Sequence, residues 1–409
     1  MGSGLYSSGM KKIFQPFLAR IALFALLISG ALHAQSPAQV RIIPGETKFV
    51  ADGFGVVAAI ALDEPSPFRV FTLDDPWRLV VDFPTLDWNG LTPDIVADTP
   101  ALQALRFGQF TRDWSRLVFD LNQPLALSEV EFDTTTNSLH LRLSPVSASA
   151  FAAQAGAPAG VEWQVNTPLD IQGEAGLPIV AIDAGHGGVD PGAIRGYVLE
   201  KDLTLVVAQE LRTALLATGR YRVAMIRETD TFVSLRDRVR LARAAGAHVL
   251  LSLHANTAER GRARGTSVYN LSDEASDAET AAIVEFENRA DLLAGIDLDG
   301  EEDLIAEILV DMAQRETNLL SENLGAMLSD SLLAVLDSGA KSRHRWAGFR
   351  VLKAPDIPSV LLELGFMSTP GDLEDMQSET WRAALNAQII ATLDAWFVQM
   401  AETRALMRN

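Results

Sequence analysis

The sequence predicts an α/β domain with a mainly parallel sheet flanked by helices, preceded by an all-β sandwich domain. Three observations carry this. Residues 40–145 hold short β-branched or alternating runs separated by Pro, Gly, Asp and Asn, the pattern of short strands and turns. From Ile179 onward, short apolar runs alternate with longer stretches of helical spacing, the pattern of a parallel sheet with crossover helices. Between them, residues 146–177 are rich in Ala, Gly, Ser and Pro, which reads as a linker whose reach lets the two parts act semi-independently. A chain of 409 residues, 48% of them hydrophobic, has the length and apolar content for two packed domains.

The first part reads as strands at Val56–Ala61, Phe68–Thr72, Arg78–Phe83, Arg116–Leu121 and Ser138–Leu143. Two of these are alike: Arg-Leu-Val-Val-Asp-Phe at 78–83 and Arg-Leu-Val-Phe-Asp-Leu at 116–121. The repeat suggests two similar sheets packed face to face. No nucleophile-and-base pattern appears here, so the segment reads as a binding module.

In the second part Ile179–Ile182 is a buried strand, and Leu203, Val206, Val207, Leu211 and Leu215 space a helix that stops at Gly219. Arg222–Arg227 is a strand, Leu235–Ala245 a helix ending at Gly246, and Val249–Leu253 a buried strand. Helical pattern covers 275–337, Val360–Leu364 is another buried strand, and 379–400 is a terminal helix. The domain is bounded at 178–403.

The N-terminus has the build of an export signal over 1–34. Lys11, Lys12 and Arg20 precede the apolar run Ile21–Ile28, and Ala31 to Ala34 offer small residues at a cleavage point. The run is short of the roughly 20 residues of a membrane span, so no lasting membrane insertion is expected once the signal is removed. A formal net charge of −19 argues against nucleic acid as a partner. There is no cysteine, which leaves imidazole and oxygen as metal ligands.

Ligands of open α/β sheets bind beyond the carboxyl ends of the strands. Ile-Asp-Ala-Gly-His-Gly-Gly at 182–188 follows the first strand, Ser-Leu-His-Ala-Asn at 252–256 closes the middle one, and Leu-Leu-Glu-Leu-Gly-Phe at 361–366 closes the late one. Leu-Glu-Lys-Asp-Leu at 199–203 opens the first helix. Together they supply His186, Glu200, His254 and Glu363. Two imidazoles and one carboxylate form a catalytic zinc set with a fourth position open to water. The other carboxylate can take the water's proton and pass it to a leaving amine. Asp183 either orients a ligand or caps its turn.

These motifs, Asp183–Gly188, Glu200-Lys201, Ser252–Asn256 and Leu362–Phe366, in this order over 179–400, resemble the type 3 amidases of bacterial cell walls. The resemblance implies one zinc ion per chain held by His186, Glu200 and His254, with Glu363 as catalytic glutamate. It implies cleavage of the amide between N-acetylmuramic acid and L-alanine in peptidoglycan. The strand-rich part, through Arg78–Pro84, resembles the AMIN domain found ahead of such amidases. That implies a β-sandwich that binds peptidoglycan and recruits the enzyme, in the periplasm, to the division septum.

A helical insertion is expected at about 271–325. Its first part, 271–311, carries fourteen Asp or Glu against the single Arg289. Ile283, Phe286, Ala290 and Leu293 give one helical face. The segment is either a solvated acidic helical pair or a plug. The division amidases that this chain resembles carry a helical insertion here, which blocks zinc until an activator, a LytM-domain protein, moves it. Glu287 is the candidate inhibitory ligand and Glu285 the alternative. The basic residues Lys341, Arg343, Arg345, Arg350 and Lys353 receive either stem-peptide carboxylates or the acidic insertion. Two other functions compete: a zinc peptidase acting on stem peptides, and a non-catalytic wall-binding protein.

Overall fold

The computed structural model describes residues 39–158, 168–257, 264–296, 307–336 and 340–407. The expected export signal and the acidic positions 297–303 lie outside them. No helix of the described residues is long and apolar enough to cross a membrane.

Eight strands build the N-terminal part: β1 (Lys48–Asp52), β2 (Gly55–Ala61), β3 (Arg69–Leu73), β4 (Arg78–Pro84), β5 (Leu102–Gln109), β6 (Trp114–Leu121), β7 (Leu125–Asp133) and β8 (Ser138–Pro145). They form two four-stranded sheets, β1-β2-β8-β7 and β3-β4-β6-β5. Strand alternation explains the sandwich. Leu79, Val81 and Phe83 of β4 and Leu117, Phe119 and Leu121 of β6 enter one core with Val56, Ala58, Ile60, Leu139 and Leu141. The repeated strands do not divide between the sheets, as expected, but pair with each other. Arg78 faces Asp120 and Asp82 faces Arg116 across an antiparallel ladder.

The C-terminal part has a seven-stranded sheet. In chain order its elements are β9 (Ile171–Gln172), β10 (Ile179–Ala184), α1 (Glu200–Ala217), β11 (Arg222–Met225), α2 (Leu235–Ala244), β12 (Val249–Asn256) and β13 (Ser267–Leu271). There follow α3 (Ala278–Asn288), α4 (Ala290–Leu293), α5 (Glu307–Leu332), β14 (Arg343–Ala347), β15 (Ser359–Phe366), α6 (Pro370–Gln377) and α7 (Glu379–Met407). The spatial order is β9-β11-β10-β12-β15-β13-β14. Pairings among β11, β10, β12 and β15 are parallel, and β9 and β13 join antiparallel. Leu203, Val207, Leu211, Leu324, Leu328, Leu385, Ile389 and Trp396 of α1, α5 and α7 pack on one face. The other face takes Leu241 and Ala242 of α2 and Ile283 of α3.

Of the basic residues, Arg343 and Arg345 lie on strand β14, which pairs with β13 at the sheet edge. The linker is partly structured: Ala148–Ala152 is a short helix whose Phe151 enters the sandwich core, and Ile171–Gln172 is the edge strand β9. The sandwich is not semi-independent, since Val40–Asn409 cluster as one compact unit. Phe110 of the sandwich stacks on Phe232 of the α/β part, with centroids 5.7 Å apart and rings 13° from parallel. A small shared core of Phe110, Val118, Val189, Phe232, Ala294 and Ile296 joins sandwich, α/β loops and insertion.

Candidate metal centre

His186, Glu200, His254 and Glu287 bring one ligand atom each to within 4.8 Å of all the others, and all four are buried. His186 follows β10, Glu200 opens α1, His254 lies in the last turn of pleat of β12, and Glu287 comes from α3. His186 Nε2 is 3.1 Å from Glu200 Oε1 and 3.3 Å from Glu287 Oε2. His254 Nδ1 is 3.3 Å from Glu200 Oε1 and 3.1 Å from Glu287 Oε2.

At these short contacts neither imidazole nitrogen, His186 Nε2 or His254 Nδ1, has a hydrogen-bond partner among the described residues. Buried polar atoms are ordinarily paired. Atoms that approach without bonding one another are what a shared central cation requires. A tetrahedral zinc with bonds of about 2.0–2.1 Å separates its ligands by about 3.3 Å. The donor set therefore fits a divalent metal.

Charges in the pocket are strongly coupled. Burial alone would lower both imidazoles, but Asp190, Glu200 and Glu287 hold His186 well above the ordinary value. For His254 burial is outweighed by Glu287 and Glu200, which push it up to about 10. Burial would raise Glu200 and Glu287, but the two imidazoles bring both below the usual carboxylate range. A metal ion entering here has to displace the imidazole protons.

The surrounding chain fixes these atoms. Glu200 accepts from Ala193 N and Ala255 N, both at 2.8 Å. His186 stands at φ 59°, a left-handed conformation uncommon for a side chain of this size. Arg238 Nη2 donates to its carbonyl at 2.9 Å. Arg227 and Arg238 also donate to Ala184 O, at 2.8 and 2.9 Å. A Cβ at Gly185 would lie 2.5–2.8 Å from the His254 ring atoms, so only glycine lets the first motif pass the second imidazole.

Sequence reasoning missed one functional neighbour. His186 Nδ1 is 2.8 Å from Asp190 Oδ2, an arrangement that fixes which ring nitrogen faces a metal. The signal available was a carboxylate four residues after the histidine, within a Gly-rich loop. Asp183 does not touch a ligand: it accepts from Arg238 Nη1 at 2.5 Å and Ser252 Oγ at 2.7 Å.

Glu363 lies directly beside His254 in the parallel β12–β15 register, and neighbouring strands are about 4.8 Å apart. It is fully buried and neither carboxylate oxygen has a partner among the described residues. Burial, with Glu287 and Glu200 near, holds it well above the ordinary range although His254 opposes this. The arrangement is a buried cluster that could hold a metal ion, with a carboxyl alongside whose charged form burial disfavours.

Glu285 is exposed on α3. The expected apolar face differs in one position, since Phe286 is 40% exposed while Ile283, Glu287 and Ala290 point inward. Arg345 donates to Asp277 at 2.7 Å and to Thr280 Oγ1 at 2.8 Å, at the start of α3. Asn288 joins α3 to Gly348 O and Arg350 N, each at 2.9 Å. Asp291 accepts from Leu235 N at 2.9 Å.

The sequence model of the family described as N-acetylmuramoyl-L-alanine amidase matches residues 180–395. That of the AMIN domain matches residues 48–143. The chain is 35% identical over 347 residues to the N-acetylmuramoyl-L-alanine amidase AmiC of Neisseria meningitidis, covering 80% of this chain and 82% of the relative. It is 30% identical over 356 residues to the AmiC of Escherichia coli, covering 82% and 84%. With the AmiA of Escherichia coli it shares 34% identity over 224 residues, covering 54% of this chain and 77% of that protein.

Two predictions follow from the site's neighbours. Asp190→Asn should weaken divalent-metal retention about 10- to 100-fold, measured by chelator competition; unchanged retention by a folded variant would refute the orienting role. Burial pushes the Asp291 carboxyl up to about 6, although Leu235 N, Arg238 and Arg350 favour its charge and Asp190 lies near. A folded-state value above the ordinary one gives stability that is complete below about pH 4 and lost as pH rises through about 6. Asp291→Asn keeps the acceptor for Leu235 N. It should therefore melt higher than wild type at pH 7.5 by the equivalent of about 3 kcal/mol, with the gap closing at pH 4. An equal gap at both values would contradict this.

Proposed function

This chain belongs to the N-acetylmuramoyl-L-alanine amidase family and is a peptidoglycan amidase, and we propose that it works with one zinc ion and is kept shut by its own insertion. The carrying observation is the convergence of His186, Glu200 and His254 on one point, with Glu363 beside it and Glu287 in the fourth position.

On this reading His186 Nε2, His254 Nδ1 and Glu200 Oε1 would hold the ion. Bound there, zinc would supply Lewis-acid polarisation of the scissile carbonyl and a water nucleophile available at neutral pH. Asp190 keeps the His186 ring in the tautomer that presents Nε2. Glu363 takes the proton of the attacking water and delivers it to the nitrogen of the departing L-alanine. The bond that breaks is the amide joining the lactyl group of N-acetylmuramic acid to that nitrogen.

Glu287 stands where water and substrate have to be. Its charge also adds to the burial that raises the Glu363 carboxyl. Withdrawal of α3 would open the ligand position. Arg345, expected to meet either stem-peptide carboxylates or the insertion, here holds Asp277 and Thr280 of the insertion. An activator that draws α3 away, of the LytM-domain kind, fits this arrangement. A periplasmic location at the division septum, an export signal over 1–34 and wall binding by the sandwich complete the reading; they rest on the sequence and the family.

Mass spectrometry of digested sacculi tests the reaction. Intact free stem peptides are the expected product, whereas shortened stems still on muramic acid would favour a zinc peptidase. Glu363→Gln should lower hydrolysis about 100- to 10,000-fold, and chelation should abolish it until zinc is restored. Undiminished clearing of sacculi by Glu363→Gln would refute the mechanism and also leave no case for this glutamate as base. Glu287→Gln should raise the basal rate without activator; no rise from a folded variant would refute the plug.

A further inference from the structure

The repeated strands β4 and β6 place a row of charged groups on the outer face of the sandwich. Within each copy, Leu79, Val81, Leu117 and Phe119 turn into the core, so Arg78, Val80 and Asp82, and Arg116, Val118 and Asp120, turn outward. Arg116 forms a two-pronged pair with Asp82 at 2.6 and 2.8 Å, and Arg106 of β5 does the same with Asp120 at 2.8 and 2.5 Å.

Further donors of Arg106 and Arg116, and one of Arg78, whose others bond Pro76 O and Asp74 O, reach the same short segment. Arg78 Nη1 donates to Leu292 O at 2.7 Å and Ile296 O at 3.4 Å. Arg106 Nε donates to Leu293 O at 2.9 Å. Arg116 Nη1 donates to Ala294 O at 3.3 Å and Gly295 O at 2.8 Å. Five consecutive carbonyls at the end of α4 are thus met by three guanidinium groups of another domain. The carbonyl end of a helix is its negative pole, where cations bind favourably.

The geometry points to the outer arginine face of the sandwich as an interaction surface whose partner is the chain's own residues 292–296, so that the sandwich holds the plug closed. This rests on the plug reading of Glu287. α3 and α4 are nearly continuous, and only four residues separate Glu287 from Leu292. A segment seated on the sandwich keeps its carboxylate at the metal centre, and a segment released there loses its trailing anchor. The two sites are coupled, so weakening either contact weakens the other.

Gly295 allows the contact to be broken without touching the sandwich. It stands at φ +70°, and a Cβ there would lie 3.1 Å from Val80 and 3.2 Å from Val118. The experiment compares full-length, zinc-loaded wild type, Gly295→Val, Arg106→Gln and Glu287→Gln on dye-labelled sacculi without activator. Both clamp variants should hydrolyse at least about threefold faster than wild type. Added to Glu287→Gln, neither should raise the rate further. Amide exchange in 278–296 should quicken while β4 and β6 stay protected. If β4 and β6 lose protection in Arg106→Gln, Gly295→Val decides alone. A faster Glu287→Gln with Gly295→Val at the wild-type rate overturns the clamp and leaves the plug standing. A Glu287→Gln at the wild-type rate overturns both.

Discussion

Four ligand-type atoms within 4.8 Å of one another in a buried pocket, with imidazole–carboxylate distances of 3.1–3.3 Å, are the constraint on which the rest depends. Without a cation at their centre, Glu200 and Glu287 can remain charged there only by keeping both imidazoles protonated. A buried group of this kind persists only where the backbone is rigid enough to prevent its relaxation. The chain meets that need with cations directed at main-chain oxygen: Arg227 and Arg238 on Ala184 O, and Lys201 on Gly188 O at 2.8 Å. They fix the loop that forces His186 into its left-handed conformation. The sheet contributes the remainder, since His254 and Glu363 sit side by side on adjacent parallel strands.

The insertion completes the same pocket from outside the sheet. It is anchored at its start by Arg345, in its middle by Asn288 and Asp291, and at its end by the sandwich. Each anchor uses a different part of the chain, and three of the four rely on main-chain atoms: those of Gly348 and Arg350, of Leu235, and of residues 292–296. On the proposed reading, the resting state is therefore a property of the whole compact unit rather than of the catalytic domain alone. The sandwich that the family associates with wall binding is, in this fold, also in contact with the segment that carries Glu287.

Much of this was legible in the sequence, and what was not has physical reasons. His186, His254 and Glu363 stood out because polar groups at the ends of apolar strands are costly unless they work. Glu287 was legible from the acidic segment tethered near the site, while the choice over Glu285 depended on which helical face turns inward. Asp190 was hidden because an Asp among Gly and Pro reads equally well as a turn former. β14 was hidden because Arg-His-Arg-Trp-Ala is too charged for an interior strand, and it is in fact an edge strand, where charge is tolerated. The like strands β4 and β6 announced a repeat, but similarity does not say whether two strands oppose or pair. The seat of residues 292–296 had no signal at all, because its acceptors are backbone carbonyls that any sequence possesses.

The closed arrangement also carries costs that bear on how it opens. Asp291 is buried with its carboxyl raised to about 6, Phe286 is left 40% exposed, and Glu363 has no partner for either oxygen among the described residues. Against these stand the arginine contacts, and a hydrogen bond from a charged donor contributes about 1.5–3 kcal/mol. Moving a two-state equilibrium from 1:99 to 99:1 takes about 5.5 kcal/mol of differential binding. Losing two or three such contacts, or replacing them with a partner's, is of that size. A plug built from several modest anchors, with unfavourable burial already present, can thus be opened by a protein partner of ordinary affinity. One held by a single deep contact could not be opened without competing at the metal itself. On the proposed reading, this distributed anchoring would allow control to be exerted at a distance from the catalytic atoms.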